Sequence, residues 1–131
     1  MNFTLHSPKN VDWSSVRWFD SRTIPGIRFA IRRVSLQQRM ELTHRMRELS
    51  LRDDFLKSGS PTDQLHAAEN EMAARKVLIT WGLLKIAHLS LDGEPATAES
   101  IVEKGPEELA NEIAAAIQAE LGLSESEIKN S

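Results

Sequence analysis

Apolar positions along this chain fall into two kinds of pattern. Ile27, Phe29 and Ile31 alternate with Arg28, Ala30 and Arg32, the period-two signature of a half-buried strand. Just before them, Pro25 and Gly26 suit the two central positions of a type II turn, proline fixing φ and glycine accepting a positive φ. A lone strand leaves its backbone groups unpaired, so this one needs a mate. "NFTLH" at residues 2–6, "AHLSLDG" at 87–93 or a neighbouring subunit could supply it.

The remaining patterns are helical. Ser35 can cap a helix running to about Leu51, with Leu36, Met40, Leu42, Met46 and Leu49 as its apolar side. "KSGSPT" reads as a linker. Pro61 then opens a long helix to about His88, along which Leu65, Ala68, Met72, Ile79, Leu83 and Ile86 fall near helical spacing. Its second half, "VLITWGLLKIAHL", is apolar nearly all round, as expected of a core helix. Asp92-Gly93 makes a turn, and Thr97 can cap a short helix that Gly105-Pro106 ends. Leu109, Ile113, Ile117 and Leu121 form a stripe at intervals of four, beside Ala110, Ala114, Ala115 and Ala116. Gly122 suits that helix's stop, and Ser124 with Glu127 has the spacing of a capping box for a short final helix that would have to dock on something.

The fold expected is therefore mainly α, a small helical domain with one short strand or hairpin near residues 27–34. Residues 1–22 lack periodicity and read as an irregular arm. Residues 23–131 read as one domain, with a basic segment at 23–60 and an acidic one at 61–131. Trp13, Trp18 and Phe19 place much apolar surface on the arm, either plugging the edge of the core or anchoring a partner.

Composition narrows the picture. The chain has 131 residues, no cysteine and a net charge of −3. Disulfide and thiolate metal sites are thereby excluded. No apolar run approaches the roughly 20 residues needed to cross a bilayer, and the N-terminus lacks a signal-peptide pattern, so a cytoplasmic location is expected. The charge is divided: residues 1–60 hold eleven Lys/Arg and six Asp/Glu, whereas residues 61–131 hold five and thirteen. Halves of +5 and −8 favour complementary contact between copies, or a basic surface for another partner.

Candidate chemistry is sparse. There is no phosphate-cradling glycine loop and no HExxH pair of ligands. His66 and Glu69 share a helix face but form an isolated pair, and Asp53-Asp54 reads as a solvated helix end. No nucleophile elbow surrounds a serine. No enzymatic activity, cofactor or metal is expected. Arg28, Arg32, Arg33, Arg39, Arg45 and Arg47 form a basic run opposed only by Glu41. Without interleaved aromatics or helix-turn-helix spacing, that run suits an acidic protein surface better than nucleic acid.

The order of segments, with "LDGEPAT", "GPEELANEI" and the terminal "LSESEIKNS", resembles the tail assembly chaperones of long-tailed bacteriophages and prophages. The resemblance covers residues 24–131 and is sharpest after residue 81. It implies a non-enzymatic, mostly helical protein of the host cytoplasm. Such a protein coats the tape-measure protein while tail tube components assemble, and many of its kind are also made in a longer form by ribosomal frameshifting. Partner contacts are expected at Trp13, Trp18, Phe19, Arg32, Arg33 and Ile128, with self-association and without nucleic acid or membrane. A structural or head-tail adaptor of the particle, or a small nucleic-acid-binding regulator using Arg28 to Arg47, are the alternatives.

Overall fold

The turn at Pro25-Gly26 folds the chain into a hairpin. Gly26 takes a φ of 92°, and Ile27 N–H bonds back to Ile24 O at 3.3 Å, as a type II turn requires. This turn joins β1 (Val16–Asp20) to β2 (Arg28–Arg32), paired antiparallel from Val16 opposite Arg32 to Asp20 opposite Arg28. Residues 10–55 and 61–122 are described in the computed structural model. The candidate strand "NFTLH", part of the linker, the Ser124–Glu127 capping box and Ile128 lie outside them.

After β2 come helix α1 (Leu36–Phe55), helix α2 (Pro61–Gly82), strand β3 (Leu83–Ala87), strands β4 (Ser90–Leu91) and β5 (Glu94–Pro95), and helices α3 (Ala98–Lys104) and α4 (Glu107–Leu121). β3 pairs antiparallel with β2, giving the order β1-β2-β3, and β4 with β5 forms a second small sheet. The architecture among the described residues is thus four helices with two antiparallel sheets, mixed α/β rather than mainly α.

Two differences from the sequence expectation produce that correction. The helix expected to reach His88 stops at Gly82, and Leu83–Ala87 is strand. An unbroken apolar run carries no period, so local pattern cannot separate buried helix from buried strand. The open edge of β2 decides it, because its N–H and C=O groups need partners. The second difference is that residues 16–20, expected to be irregular, form the strand on the other side of β2.

The local signals act where expected. Ser35 Oγ accepts from Gln38 N at 3.2 Å while Gln38 Oε1 accepts from Ser35 N at 3.1 Å, a reciprocal cap opening α1. Thr97 and Ser100 make the same exchange at the start of α3. Asp92 and Gly93, both at positive φ, form the two-residue turn between β4 and β5. Gly122 closes α4 in the left-handed conformation.

The core gathers Phe29 and Ile31 of β2, Leu78, Ile79 and Trp81 of α2, Ile101 of α3, and the α4 stripe. Leu109, Ile113 and Ile117 are completely buried and Leu121 nearly so. On α1, Leu42 and Met46 are buried, whereas Leu36 and Met40 project into solvent rather than joining them. Leu65 and Met72 of α2 are likewise exposed. Among the described residues no helix is long and apolar enough to cross a membrane.

Gly82 permits the junction between α2 and β3. A Cβ built there would stand 2.8 Å from Ile117 Cδ1 and 3.0 Å from its Cγ2, so only glycine lets the end of α2 lie this close to α4. Gly82→Ala is expected to destabilise the fold by about 1–3 kcal/mol, through overpacking against a side chain that cannot leave the core. Urea denaturation monitored by circular dichroism measures this.

Candidate functional site

The hairpin positions most of the residues singled out in the sequence, and it does so by docking onto α4. Glu112, on the second turn of α4, accepts hydrogen bonds from Ser21 Oγ and Arg22 N–H, both at 2.7 Å, at the loop after β1. Ser21 Oγ in turn accepts from Ile24 N at 3.0 Å, holding the turn. Partial burial acts to raise the Glu112 pKa. Hydrogen bonds from Arg22 N–H, Ser21 Oγ and Thr23 outweigh it and hold the carboxyl below its ordinary value.

About two turns further along α4, Glu120 meets the other end of the hairpin. Its Oε1 pairs with Arg17 Nη1 at 3.1 Å, and its Oε2 lies 3.7 Å from Arg33 Nε. Arg39 Nη2 donates to Leu121 O at 3.1 Å. Three guanidinium groups therefore converge on the C-terminal end of α4, where the helix dipole and unsatisfied carbonyls favour positive charge. The acidic second half of the chain attracts the basic first half within one molecule.

The tryptophans and their neighbouring arginines form stacked pairs. The Arg33 guanidinium lies 3.7 Å from the centroid of the Trp13 ring, so Arg33 is held between that ring and Glu120. Arg28 sits 5.1 Å over Trp18 and pairs with Asp20 at 3.0 Å. Trp13 is 66% exposed and Trp18 41%, so both offer aromatic surface to solvent while an arginine fixes each ring.

Phe19 behaves differently, stacking on Phe29 at 5.5 Å between centroids and packing against the core. Of the two roles open to these rings, Phe19 fills the core edge and the tryptophans remain accessible. Arg32 is turned inward: its Nε donates to Trp81 O at 3.0 Å and its guanidinium lies 5.6 Å from the Trp81 ring. It is not grouped with Trp13 and Arg33.

Among the described residues, Arg28, Arg32, Arg33, Arg39 and Arg45 of the run from 28 to 47 have partners, with Arg45 joining Glu41 at 3.8 Å along α1. Arg17, Glu112 and Glu120, which organise the surface, do not stand out in the sequence. Arg17 precedes the run, and the two glutamates look like any others on an amphipathic helix. Only their place on the face turned to the hairpin distinguishes them. His66 and Glu69 do approach each other, at 3.5 Å, on an exposed part of α2. Among the described residues no three His, Asp or Glu side chains come together as metal ligands would.

The folded Glu112 carboxyl titrates below its unfolded value, so its contribution to stability is present above about pH 4.3 and disappears as pH falls through the folded value. Glu112→Gln is expected to cost about 1 kcal/mol at pH 7, allowing for solvent around the partly exposed group. In chemical denaturation at stepped pH, the gap between the two proteins should narrow as the solution is acidified below the ordinary glutamate range.

No family profile, curated protein or solved structure matches the chain.

Proposed function

We propose that this protein is a non-enzymatic tail assembly chaperone, which binds a tape-measure protein, and copies of itself, in the host cytoplasm while tail tube components assemble. The family part of this reading rests on the resemblance carried by "LDGEPAT", "GPEELANEI" and "LSESEIKNS". The first of these stretches spans the Asp92-Gly93 turn and the cap of α3, and the second opens α4.

The observation that carries the binding reading is Trp13. It is a large ring, two-thirds exposed, held in place by Arg33, whose own charge is met by Glu120. Tryptophan and arginine dominate binding energies at protein interfaces, and a ring already immobilised loses little entropy on contact. A long helical client with an apolar stripe and acidic flanks fits such a surface. Nucleic-acid binding is less well supported, because most of the arginine run already engages carboxylates, carbonyls or rings of the same chain.

Co-expression with a tape-measure protein tests the reading. The client is expected to stay soluble and to co-purify with this protein, and Trp13→Ala is expected to weaken capture about tenfold or more. A client that stays insoluble and never co-purifies, with this protein present at fixed stoichiometry in finished particles, would overturn the proposal in favour of a structural adaptor.

A further inference from the structure

Helix α1 carries apolar residues on two sides, and the described fold covers one of them. Leu42 and Met46 are buried, whereas Leu36 is 77% exposed and Met40 59%. Leu36, Met40, Thr43 and Arg47 follow one another at helical spacing, so they share an exposed stripe turned away from Leu42 and Met46. Arg39 flanks the start of this stripe and reaches across to α4, where it donates to Leu121 O at 3.1 Å. The end of α4 is thereby pinned beside Leu36 and Met40. Gly122, in the left-handed conformation, turns the chain out of α4 at that point. The carboxylates of α1 lie on its other flank, Glu41 with Arg45 at 3.8 Å and Glu48 with His44 at 3.9 Å.

We propose that residues 123–131 of the same chain fold back onto this stripe, with Leu123 and Ile128 covering Leu36 and Met40. The order of residues in the segment suits the task. Ser124 and Glu127 have capping-box spacing, and Leu123 and Ile128 then occupy the two positions of a hydrophobic staple, which joins them on one side of the turn. A helix this short needs a surface to cover before it is stable in water. Reach favours the same occupant. Ile128 follows Gly122 by six residues, up to about 20 Å of chain, and Leu36 and Met40 are one turn apart beside the anchor at Leu121. So short a tether holds the segment at an effective concentration on the order of 1 mM, which a free second copy does not match at micromolar levels. Charge separates it from the other segments of the chain. Glu125 and Glu127 come to a stripe bounded by Arg39 and Arg47, whereas residues 1–9 bring Lys9 and no carboxylate. Residues 56–60 bring Lys57 and no carboxylate, and they follow the far end of α1. Ile128 is thereby assigned to the chain's own surface rather than to a partner, and the inference does not depend on the chaperone reading.

The chain has no cysteine, so a pair of introduced thiols reports the contact directly. Met40→Cys combined with Ile128→Cys is expected to oxidise to a disulfide within the monomer, read as loss of both free thiols without a covalent dimer. Leu65→Cys combined with Ile128→Cys, on the exposed start of α2, is the control and is expected to close about tenfold more slowly or worse. Equal rates for the two pairs overturn the proposal. A disulfide formed between molecules assigns the stripe to a second copy and overturns it as well. So does faster closure of Met40→Cys with Leu5→Cys, which assigns the stripe to residues 1–9. Denaturation of the full chain gives a test free of thiol chemistry. Met40→Ser and Ile128→Ser are each expected to raise the unfolding equilibrium constant about fivefold, and together by no more than about fivefold, because both remove the same contact. An uncovered methionine at a surface position would change that constant by less than about twofold. Single substitutions with so small an effect, or effects that multiply in the double variant, overturn the proposal.

Discussion

Strand β2 needs hydrogen-bond partners along both edges and apolar cover for Phe29 and Ile31, and the rest of the structure follows from meeting those needs. β1 satisfies one edge through the tight turn at Pro25-Gly26, a local solution with little loop to close. β3 satisfies the other from more than fifty residues away, with the whole α1–α2 excursion in between. The cover comes from α4, whose stripe of Leu109, Ile113, Ile117 and Leu121 is almost wholly buried.

That arrangement explains how the charges are distributed. A sheet hairpin laid against a helix must satisfy polar groups around its apolar contact. Here Glu112 holds the loop at one end of the hairpin and Glu120 holds Arg17 and Arg33 at the other. Arg39 adds its hydrogen bond to the last turn of α4. The division into basic and acidic halves, which suggests attraction between molecules when read from sequence, is in part a device for assembling one molecule. The exposed remainder is aromatic as much as basic: two tryptophans, each stacked on an arginine whose charge is already balanced. Such a surface offers large, rigid contact area with limited long-range attraction for phosphate.

The candidate site was legible in part. Trp13 and Trp18 stand out in a sequence with three tryptophans, and both are accessible. Phe19 has similar surroundings in sequence yet lies on the opposite face of β1, because successive strand residues alternate. Arg32 and Arg33 are adjacent and diverge for the same reason, one to Trp81 and the other to Glu120 and Trp13. Strand alternation separated these pairs, and it could not be applied to residues 16–20 before they were known to be a strand.

By itself, the sequence determined the features whose energetics are local. A reciprocal Ser35–Gln38 cap, the Thr97 cap, the glycine turns and the period of the α4 stripe each involve groups only a few residues apart, so their chemistry is visible in order along the chain. Tertiary structure decided what depends on distant partners. Leu83–Ala87 has the composition of a buried helix and becomes strand because β2 offers it a ladder and Gly82 lets the chain turn beside Ile117. The first strand, the inward arginines and the mixed α/β architecture belong to the same class. Backbone pairing and charge neutralisation act between residues separated by as many as 103 positions, and no periodicity in either segment records where its partner lies.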